Sequence, residues 1–162
     1  PERLRQRLRQ GPPVDVVCIT HNETATGVIE PLRELAAVVR AEAPDTLVLA
    51  DVVTSLAGAE LRFDDWGLDF VFAGTQKCLA LPPGLCVYAL SERARARAAA
   101  MPERGFLLDL PRAIAETNDG KTIATPCVPL VLALQRQLQR VAAEGLEQRW
   151  ARHLDLRTRT LQ

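Results

Sequence analysis

The sequence has no excess of charge, no long apolar run and neither of the common phosphate-binding signatures. Its 20 basic and 20 acidic side chains give a net charge of zero, so no electrostatic argument points to nucleic acid or to an anionic membrane. No apolar run approaches about 20 residues, which argues against a transmembrane helix. A nucleotide-binding α/β module is disfavoured because neither G-x-G-x-x-G after a strand nor G-x-x-x-x-G-K-[ST] occurs.

Cysteine and histidine are also scarce. The four cysteines form no C-x-x-C pair and only two histidines could assist them, so we expect no metal site. Cys18 and Cys86 lie inside apolar, strand-like runs, which predicts buried free thiols in a reducing cytosol. The chain also lacks an initiator methionine and an apolar leader, and its last residues fall within a predicted helix. We therefore expect an internal fragment of a longer, cytoplasmic protein.

What the sequence does contain is an alternation of apolar strands and amphipathic helices. Its 162 residues suffice for one domain with a core. Helical patterns cover 2–10, 30–43 and 91–100, and a long helix begins near residue 129 and is interrupted at Gly145. Strands are predicted at 14–20, 46–50, 69–73 and 85–90, and the first is apolar enough to be buried on both faces. This order predicts an α/β fold with a mostly parallel sheet flanked by helices, and irregular connections at 52–68 and 101–121.

Three polar residues, His21, Asp51 and Lys77, follow the ends of predicted strands. The carboxyl ends of parallel strands lie along one edge of a sheet, which is where ligands bind in open α/β folds. Singly, each residue has an ordinary explanation: His21 caps a turn, Asp51 caps the next segment, and Lys77 is a solvated surface lysine. Together they indicate a site with an amine, a carboxylate and an aromatic ring, in which a desolvated Lys77 could attack an aldehyde.

One cofactor requires this set of groups. Pyridoxal phosphate needs a lysine for its Schiff base and a carboxylate beside its pyridine nitrogen, which keeps that nitrogen protonated so that the ring acts as an electron sink. Val53 would share the orientation of Asp51 in an extended segment and could cover one face of the ring. Thr75 and Gln76 offer hydrogen-bond donors beside Lys77.

Three blocks of the sequence resemble the class V aminotransferases, which are pyridoxal-phosphate enzymes of fold type I, and most closely the alanine–glyoxylate and serine–pyruvate aminotransferase group. The blocks are His21-Asn22-Glu23-Thr24-Ala25-Thr26-Gly27, Asp51-Val52-Val53-Thr54-Ser55-Leu56, and Gly74-Thr75-Gln76-Lys77-Cys78-Leu79 with Pro82-Pro83-Gly84. Their order and spacing fit the family, and the resemblance runs through nearly the whole chain. It implies an aspartate aminotransferase-like fold, with residues 1–128 as part of the cofactor-binding large domain and 129–162 as a long helix leading to a small C-terminal domain.

The resemblance implies a role for each residue of the proposed site. Lys77 would hold the cofactor as a Schiff base and then move the proton between Cα and C4′. Asp51 would pair with the pyridine nitrogen, and Val53 would pack on the ring. Thr24 matches a hydroxyl residue near the 3′-oxygen side of the ring. Gln76 would contact the phosphate, and Thr75 stands where serine is more usual and keeps the hydroxyl.

The same resemblance implies partners and substrates. Thr125 matches a threonine that reaches the phosphate of the neighbouring subunit, which implies a homodimer. Thr122 falls where relatives often carry a tyrosine for that phosphate, so this contact departs from the pattern. The implied reaction moves an amino group from a small amino acid, alanine or serine, to a 2-oxo acid such as glyoxylate or pyruvate.

Two alternatives remain open at this point. A cysteine desulfurase or a lyase would share the fold, although desulfurases usually carry a histidine immediately before the lysine, where this chain has Gln76. A non-catalytic fragment or pseudoenzyme would keep only the sheet and the dimer surface. This second alternative arises because the phosphate loop, the ring-stacking aromatic residue and the arginine for the substrate carboxylate would all lie outside these 162 residues.

Overall fold

Six strands and six helices lie within residues 1–102 and 104–162, which are the residues that the computed structural model describes. The strands are β1 (Val16–Thr20), β2 (Asn22–Glu23), β3 (Val28–Ile29), β4 (Leu47–Asp51), β5 (Phe70–Gly74) and β6 (Cys86–Leu90). The helices are α1 (Glu2–Gln10), α2 (Leu32–Glu42), α3 (Glu92–Ala99), α4 (Leu110–Asn118), α5 (Val128–Glu144) and α6 (Leu146–Thr160).

The central sheet has the strand order β1-β4-β5-β6. Strand β4 pairs in parallel with both β1 and β5, whereas β6 runs antiparallel beside β5. Strands β2 and β3 form a separate antiparallel pair. Helix α2 connects β1 to β4 as the crossover that parallel neighbours require. The predicted α/β fold with a mostly parallel sheet is therefore confirmed.

Helix α2 packs an apolar stripe against the sheet. Leu32, Ala36 and Val39 are spaced by four and three residues, so they share one helical face, and each is at most 1% exposed. They form one cluster with Val48 and Val71 of the sheet. Burial of this apolar surface holds the sheet in place, and the sheet in turn positions the loops at its carboxyl edge.

A buried carboxylate joins four elements beside this core. Asp69, which is 1% exposed, accepts hydrogen bonds from the Val48 N–H at 2.9 Å and from Ser91 Oγ at 2.7 Å, and it pairs with Arg40. Burial raises the pKa of Asp69, but these hydrogen bonds and the Arg40 charge outweigh it, so the pKa lies below its usual range. The ionised side chain ties β4 and the start of β5 to α2 and α3.

The prediction that the first strand is buried on both faces is wrong. Val16, Cys18 and Thr20 of β1 are exposed, whereas on the opposite face Ile19 is buried in the core with α2 and the half-buried Val17 packs against that core. Burial on both faces needs cover on both sides of the sheet, and β1 is packed on one side only. The expectation of buried thiols fails for the same reason at Cys18, and it also fails at Cys86, which is exposed at the start of β6. All four cysteines are free.

Two local structures were not expected from the sequence. Helix α4 occupies part of the segment that was predicted to be irregular, where Asp109 caps it by accepting a hydrogen bond from the Arg112 N–H at 3.2 Å. Glu103, in the same predicted connection, lies outside the described residues. The hairpin of β2 and β3 replaces a predicted loop. Gly145 ends α5 with a φ of +84°, so α6 is a second helix rather than a continuation.

Within the part of the chain that the structure describes, no helix combines the length and the apolar character that crossing a membrane demands.

Candidate active site

The carboxyl ends of β1, β4 and β5 lie side by side. Thr20 is in register with Asp51, and Asp51 is in register with Phe72 on the other side. The ladder continues one residue past β1, because the His21 N–H donates to the Asp51 carbonyl at 2.9 Å. Lys77 follows β5 by three residues. The three strand ends therefore line one edge of the sheet, as the sequence predicted for a parallel arrangement.

Asp51 is half-buried at the end of β4 and keeps part of its carboxylate free. Its Oδ1 accepts a hydrogen bond from the Val53 N–H at 2.9 Å, and no described residue donates to Oδ2. The expectation that Val53 would continue an extended segment is wrong, because β4 ends at Asp51 and Val53 begins a turn. The turn still holds Val53 beside Asp51, and one carboxylate oxygen remains available to a further donor.

Lys77 is an exposed lysine in a loop and has no partner for its ammonium within the described residues. The expected desolvation is not found in this chain. Lys77 is one of only two lysines among 20 basic residues. The other is Lys121, whose Nζ lies 3.8 Å from Oδ2 of Asp119 in an exposed turn. Because an arginine does not lose its charge in proteins, Lys77 is the one primary amine near this edge that could act as a nucleophile.

The two residues before Lys77 differ in what they offer a ligand. Thr75 is fully buried, and its hydroxyl donates to the Pro82 carbonyl at 2.7 Å, so its one proton is used inside the turn. Gln76 is exposed, and its amide group packs over Gly74. Both remain predicted cofactor residues, but Gln76 is the one whose donors are free to move toward a phosphate.

Contacts at Thr54 hold the three sequence blocks together. Thr24 Oγ1, from the loop between β2 and β3, lies 2.8 Å from Thr54 Oγ1 in the turn after Asp51. Cys78, the residue after Lys77, donates from its Sγ to the Thr54 carbonyl at 3.1 Å. The lysine loop, the Asp51 turn and the Thr24 loop are thus connected to one another through one residue that the sequence did not single out.

His21 has a structural environment rather than a catalytic one. It is 4% exposed, its Nδ1 lies 2.9 Å from Ser55 Oγ, and its ring meets the edge of Trp66 with centroids 6.3 Å apart. Burial lowers the pKa of His21, which favours the neutral ring. The histidine therefore supports the turn after Asp51, which contains Ser55.

Two clefts border the lysine loop. A polar cleft of about 750 Å³ is lined by Lys77 and Thr54 on one side and by α5 and α6 on the other. A more apolar cleft of about 710 Å³ extends from Thr54 and Cys78 toward Leu154 of α6. Asp51 lines neither of these two clefts.

Thr125 and Thr122 lie in the exposed loop between α4 and α5, and neither lines these two clefts. The Thr122 hydroxyl donates to the Ala124 carbonyl at 2.7 Å. The predicted contact of Thr125 with a neighbouring subunit's cofactor stays a prediction.

Sequence reasoning missed Arg149. This residue of α6 is 7% exposed, and its side chain donates to two carbonyls in the turns that follow Asp51 and Lys77. Its position in an otherwise polar helical stretch gave no sign of burial, because arginine is mostly exposed unless it is paired.

The donor set suits pyridoxal phosphate. Among the residues that the structure describes, Lys77 supplies an unpaired amine and Asp51 a carboxylate oxygen without a partner, and Thr24 and Thr54 add a pair of hydroxyls near the same strand ends. A Schiff-base lysine and a carboxylate for a pyridinium nitrogen are two of the groups by which proteins bind this cofactor.

A sequence model of the family "Aminotransferase class-V" matches residues 1–162. The chain is 38% identical over 143 residues to the protein named "Soluble hydrogenase, small subunit" of Synechococcus sp., covering 87% of this chain and 36% of that protein. It is 36% identical over 151 residues to the L-aspartate–glyoxylate aminotransferase of Paracoccus denitrificans, covering 89% and 36%.

The fold matches a solved structure of the same family. The crystal structure of an alanine–glyoxylate aminotransferase from Nostoc sp. superimposes with a TM-score of 0.84 at 30% identity, covering 94% of this chain and 40% of that one. The chain thus spans 36% to 40% of the length of these three proteins. The predicted family, fold and family cofactor are confirmed: the chain belongs to the class V aminotransferases, which are pyridoxal-phosphate-dependent.

Proposed function

We propose that this chain forms the lysine-bearing part of a pyridoxal-phosphate-dependent aminotransferase. The enzyme moves the amino group of a small amino acid, alanine or serine, to a 2-oxo acid such as glyoxylate or pyruvate. The observation that carries the proposal is the shared edge of β1, β4 and β5, where Asp51 and Lys77 follow strands held in register and, within 1–102 and 104–162, one Asp51 oxygen and the Lys77 amine have no partner.

Lys77 and Asp51 do the chemistry in this proposal. When bound, pyridoxal phosphate supplies an electron sink for the bond that breaks at the α-carbon of the amino acid. Lys77 would hold the cofactor through Nζ, and its amine would move the proton at the α-carbon of the amino acid. Asp51 holds a proton at the ring nitrogen, because its charge favours the protonated form.

The remaining predicted residues bind and orient. Val53 packs on one ring face from the turn that follows Asp51. Thr24, positioned by its hydroxyl contact with Thr54, faces the 3′-oxygen side. Gln76 and Thr75 would bind on the phosphate side, and Gln76 is better suited to donate because it is exposed, whereas the Thr75 hydroxyl donates to the Pro82 carbonyl.

The proposed substrates are supported by the names of two proteins that this chain resembles. The Paracoccus denitrificans and Nostoc sp. proteins are both named for glyoxylate, while the amino donor in the name is aspartate in one and alanine in the other. Glyoxylate as acceptor is therefore better supported than any single donor.

The proposed enzyme is a cytoplasmic homodimer in which Thr125 reaches the phosphate bound by the partner subunit. Thr125 is exposed, as such a role requires. Large apolar side chains in the segment before α4 are also exposed, including Phe106 at 65% and Leu108 at 80%, and burial against a second subunit would remove them from water. The four free cysteines suit a reducing compartment.

Borohydride trapping tests the proposal directly. The full-length protein is incubated with pyridoxal phosphate, reduced with borohydride and mapped by peptide mass. We expect a reduced adduct on Lys77 and none on Lys121, and loss of aminotransferase activity in Lys77→Ala but not in Lys121→Ala. An adduct that does not prefer Lys77, or full activity in Lys77→Ala, would overturn the proposal in favour of a non-catalytic protein.

A further inference from the structure

The one buried arginine among the described residues lies between the two turns that carry the proposed site. Arg149 of α6 donates from Nε to the Ala57 carbonyl at 3.0 Å and from Nη2 to the Cys78 carbonyl at 2.8 Å. Ala57 belongs to the turn that follows Asp51, and Cys78 is the residue after Lys77. Neither carbonyl receives another hydrogen bond within the described chain. A single planar guanidinium thus bridges two separate loops.

Both loops have a backbone that needs external support. Ala57 has a φ of +67°, and Ala80, three residues after Lys77, has a φ of +54°. Residues other than glycine rarely adopt this left-handed conformation, and they keep it when the surrounding structure holds them there. Arg149 holds the first of these residues directly, through its hydrogen bond to the Ala57 carbonyl. Its hydrogen bond to the Cys78 carbonyl holds the loop between Lys77 and Ala80.

Glu144 orients the guanidinium from the opposite side. Its Oε2 accepts from Arg149 Nη1 at 2.8 Å, and Arg152 donates to the same carboxylate. Hydrogen bonds from Arg152 and from Arg149 lower the pKa of Glu144 to about 2, although burial acts in the opposite direction. Glu144 therefore stays ionised near neutral pH, and Arg149 keeps a fixed anchor at the end of α5 while its other nitrogens face the turns.

We propose that Arg149 is a positioning residue of the site: from α6 it holds the turn after Asp51 against the loop that carries Lys77, and so fixes the distance between carboxylate and amine. This inference rests on the proposed function, because it assigns the bridge to the placement of the cofactor between these two groups. Within the described residues, no hydrogen bond joins the Arg149 side chain to Asp51 or to Lys77. Removing it leaves two carbonyls without a donor and lets the loops move independently.

Arg152 provides a matched control. It lies on the same helix and binds the same Glu144 carboxylate, but no hydrogen bond connects it to either turn within the described residues. A variant of Arg152 therefore reports what is lost when the charge cluster alone is weakened. Arg149→Lys is the conservative variant, since one ammonium keeps the charge but lacks the planar fork that reaches both carbonyls and Glu144 together.

The test compares Arg149→Met, Arg149→Lys and Arg152→Met in the full-length protein. In the cofactor-free protein, hydrogen–deuterium exchange is measured in peptides covering 53–60 and 77–82, and the urea midpoint records overall stability. Cofactor binding is followed by absorbance and by the induced circular dichroism of the bound cofactor, which reports its orientation. We expect faster exchange in both peptides and about tenfold weaker cofactor binding for Arg149→Met, with smaller effects for Arg149→Lys.

Arg152→Met is expected to match the wild type in hydrogen–deuterium exchange of the two peptides and in cofactor binding. The inference is overturned if Arg149→Met binds cofactor within twofold of Arg152→Met, with an unchanged dichroism signal and unchanged exchange in the two peptides. If Arg149→Met does not fold, Arg149→Lys is compared with Arg152→Met in its place, and the same three results would overturn the inference. If the wild type forms no adduct at Lys77, the proposed function fails, whereas the exchange comparison still shows whether Arg149 holds the two turns together.

Discussion

The sheet with α2 and the segment 104–162 are packed to different degrees. Ten buried apolar residues form one cluster around the sheet. In 104–162, the described residues that are buried are Leu130, Val141 and Arg149, and one of these is charged. Leu132 is 59% exposed on α5, although its chemistry is the same as that of Leu32 in the core. The edge that bears Asp51 is therefore supported by a core of its own, while the later helices contribute little buried apolar surface.

The largest effect expected from this comparison is a loss of stability on truncating a core leucine. Leu32 is 1% exposed, so Leu32→Ala removes buried apolar surface and leaves a cavity between α2 and the sheet. We expect it to lower the free energy of unfolding by about 2–5 kcal/mol. Leu132→Ala should change it by less than about 0.5 kcal/mol in the chain of 162 residues. Urea denaturation of both variants measures the difference.

Measuring Leu32→Ala and Leu132→Ala in the full-length protein as well extends the comparison between the two regions. If further protein covers α5 there, Leu132→Ala becomes costly while Leu32→Ala keeps its effect. Equal losses for both variants in the chain of 162 residues would contradict the contrast between the two regions.

A smaller effect is expected at the buried carboxylate of Asp69. Asp69→Asn removes the charge that pairs with Arg40 and places an amide donor among groups that already donate. We expect a loss of about 2–3 kcal/mol near neutral pH. The matched control is Asp119→Asn, which alters an exposed ion pair with Lys121 in the second region and should leave the urea midpoint unchanged.

The pH dependence of Asp69→Asn has a definite sign. The pKa of Asp69 is lower in the folded chain than in the unfolded chain, so its ionisation stabilises the fold above the unfolded value of about 4. This contribution is lost as the pH falls through the folded pKa. The stability difference between wild type and Asp69→Asn should therefore be largest above pH 5 and shrink in acid. A difference that grows in acid would contradict the assigned charge state.

The sheet with α2 could be predicted from the sequence more completely than the segment 104–162. The apolar runs that became β4, β5 and β6 and the stripe on α2 carried strong periodic signals, because burial against a core imposes them. Helix α4 is only nine residues long and lies between Gly105 and Gly120, so its segment resembled an irregular connection, although Asp109 and Pro111 mark a helix start. The exposed face of β1 was missed because an apolar run indicates burial without saying whether both faces are covered.

The site shows the same division. The position of Asp51 and Lys77 at the carboxyl edge could be predicted because strand ends have a defined place in a parallel sheet. The turn at Val53, the hydroxyl bond inside the Thr75 turn and the bridge made by Arg149 depend on contacts between residues distant in sequence or on local turn geometry. Neither composition nor spacing encodes such contacts, so they became visible only in the structure.

The smallest expected effect is the difference between removing two helix caps, Ser91 of α3 and Asp109 of α4. Ser91 Oγ accepts a hydrogen bond from the Ala94 N–H at 3.1 Å and donates to Asp69 at 2.7 Å, so it caps α3 and also joins the buried carboxylate. Ser91→Ala should lower the free energy of unfolding by about 1–2 kcal/mol, which is the usual range for losing a cap. Hydrogen exchange should show this loss in the slowest amides of β4 and β5, because α3 is connected to the core.

Asp109 caps α4 in the region with few buried residues, where it accepts from the Arg112 N–H at 3.2 Å and from Arg104 at 2.9 Å. Because α4 can open without disturbing the sheet, Asp109→Ala should speed exchange within α4 alone and leave the slowest amides unaffected. If Asp109→Ala slows refolding of the sheet or lowers the protection of β4 as Ser91→Ala does, the second region is coupled to the core despite its exposure. Local exchange in α4 alone would instead show that the two regions unfold as separate units.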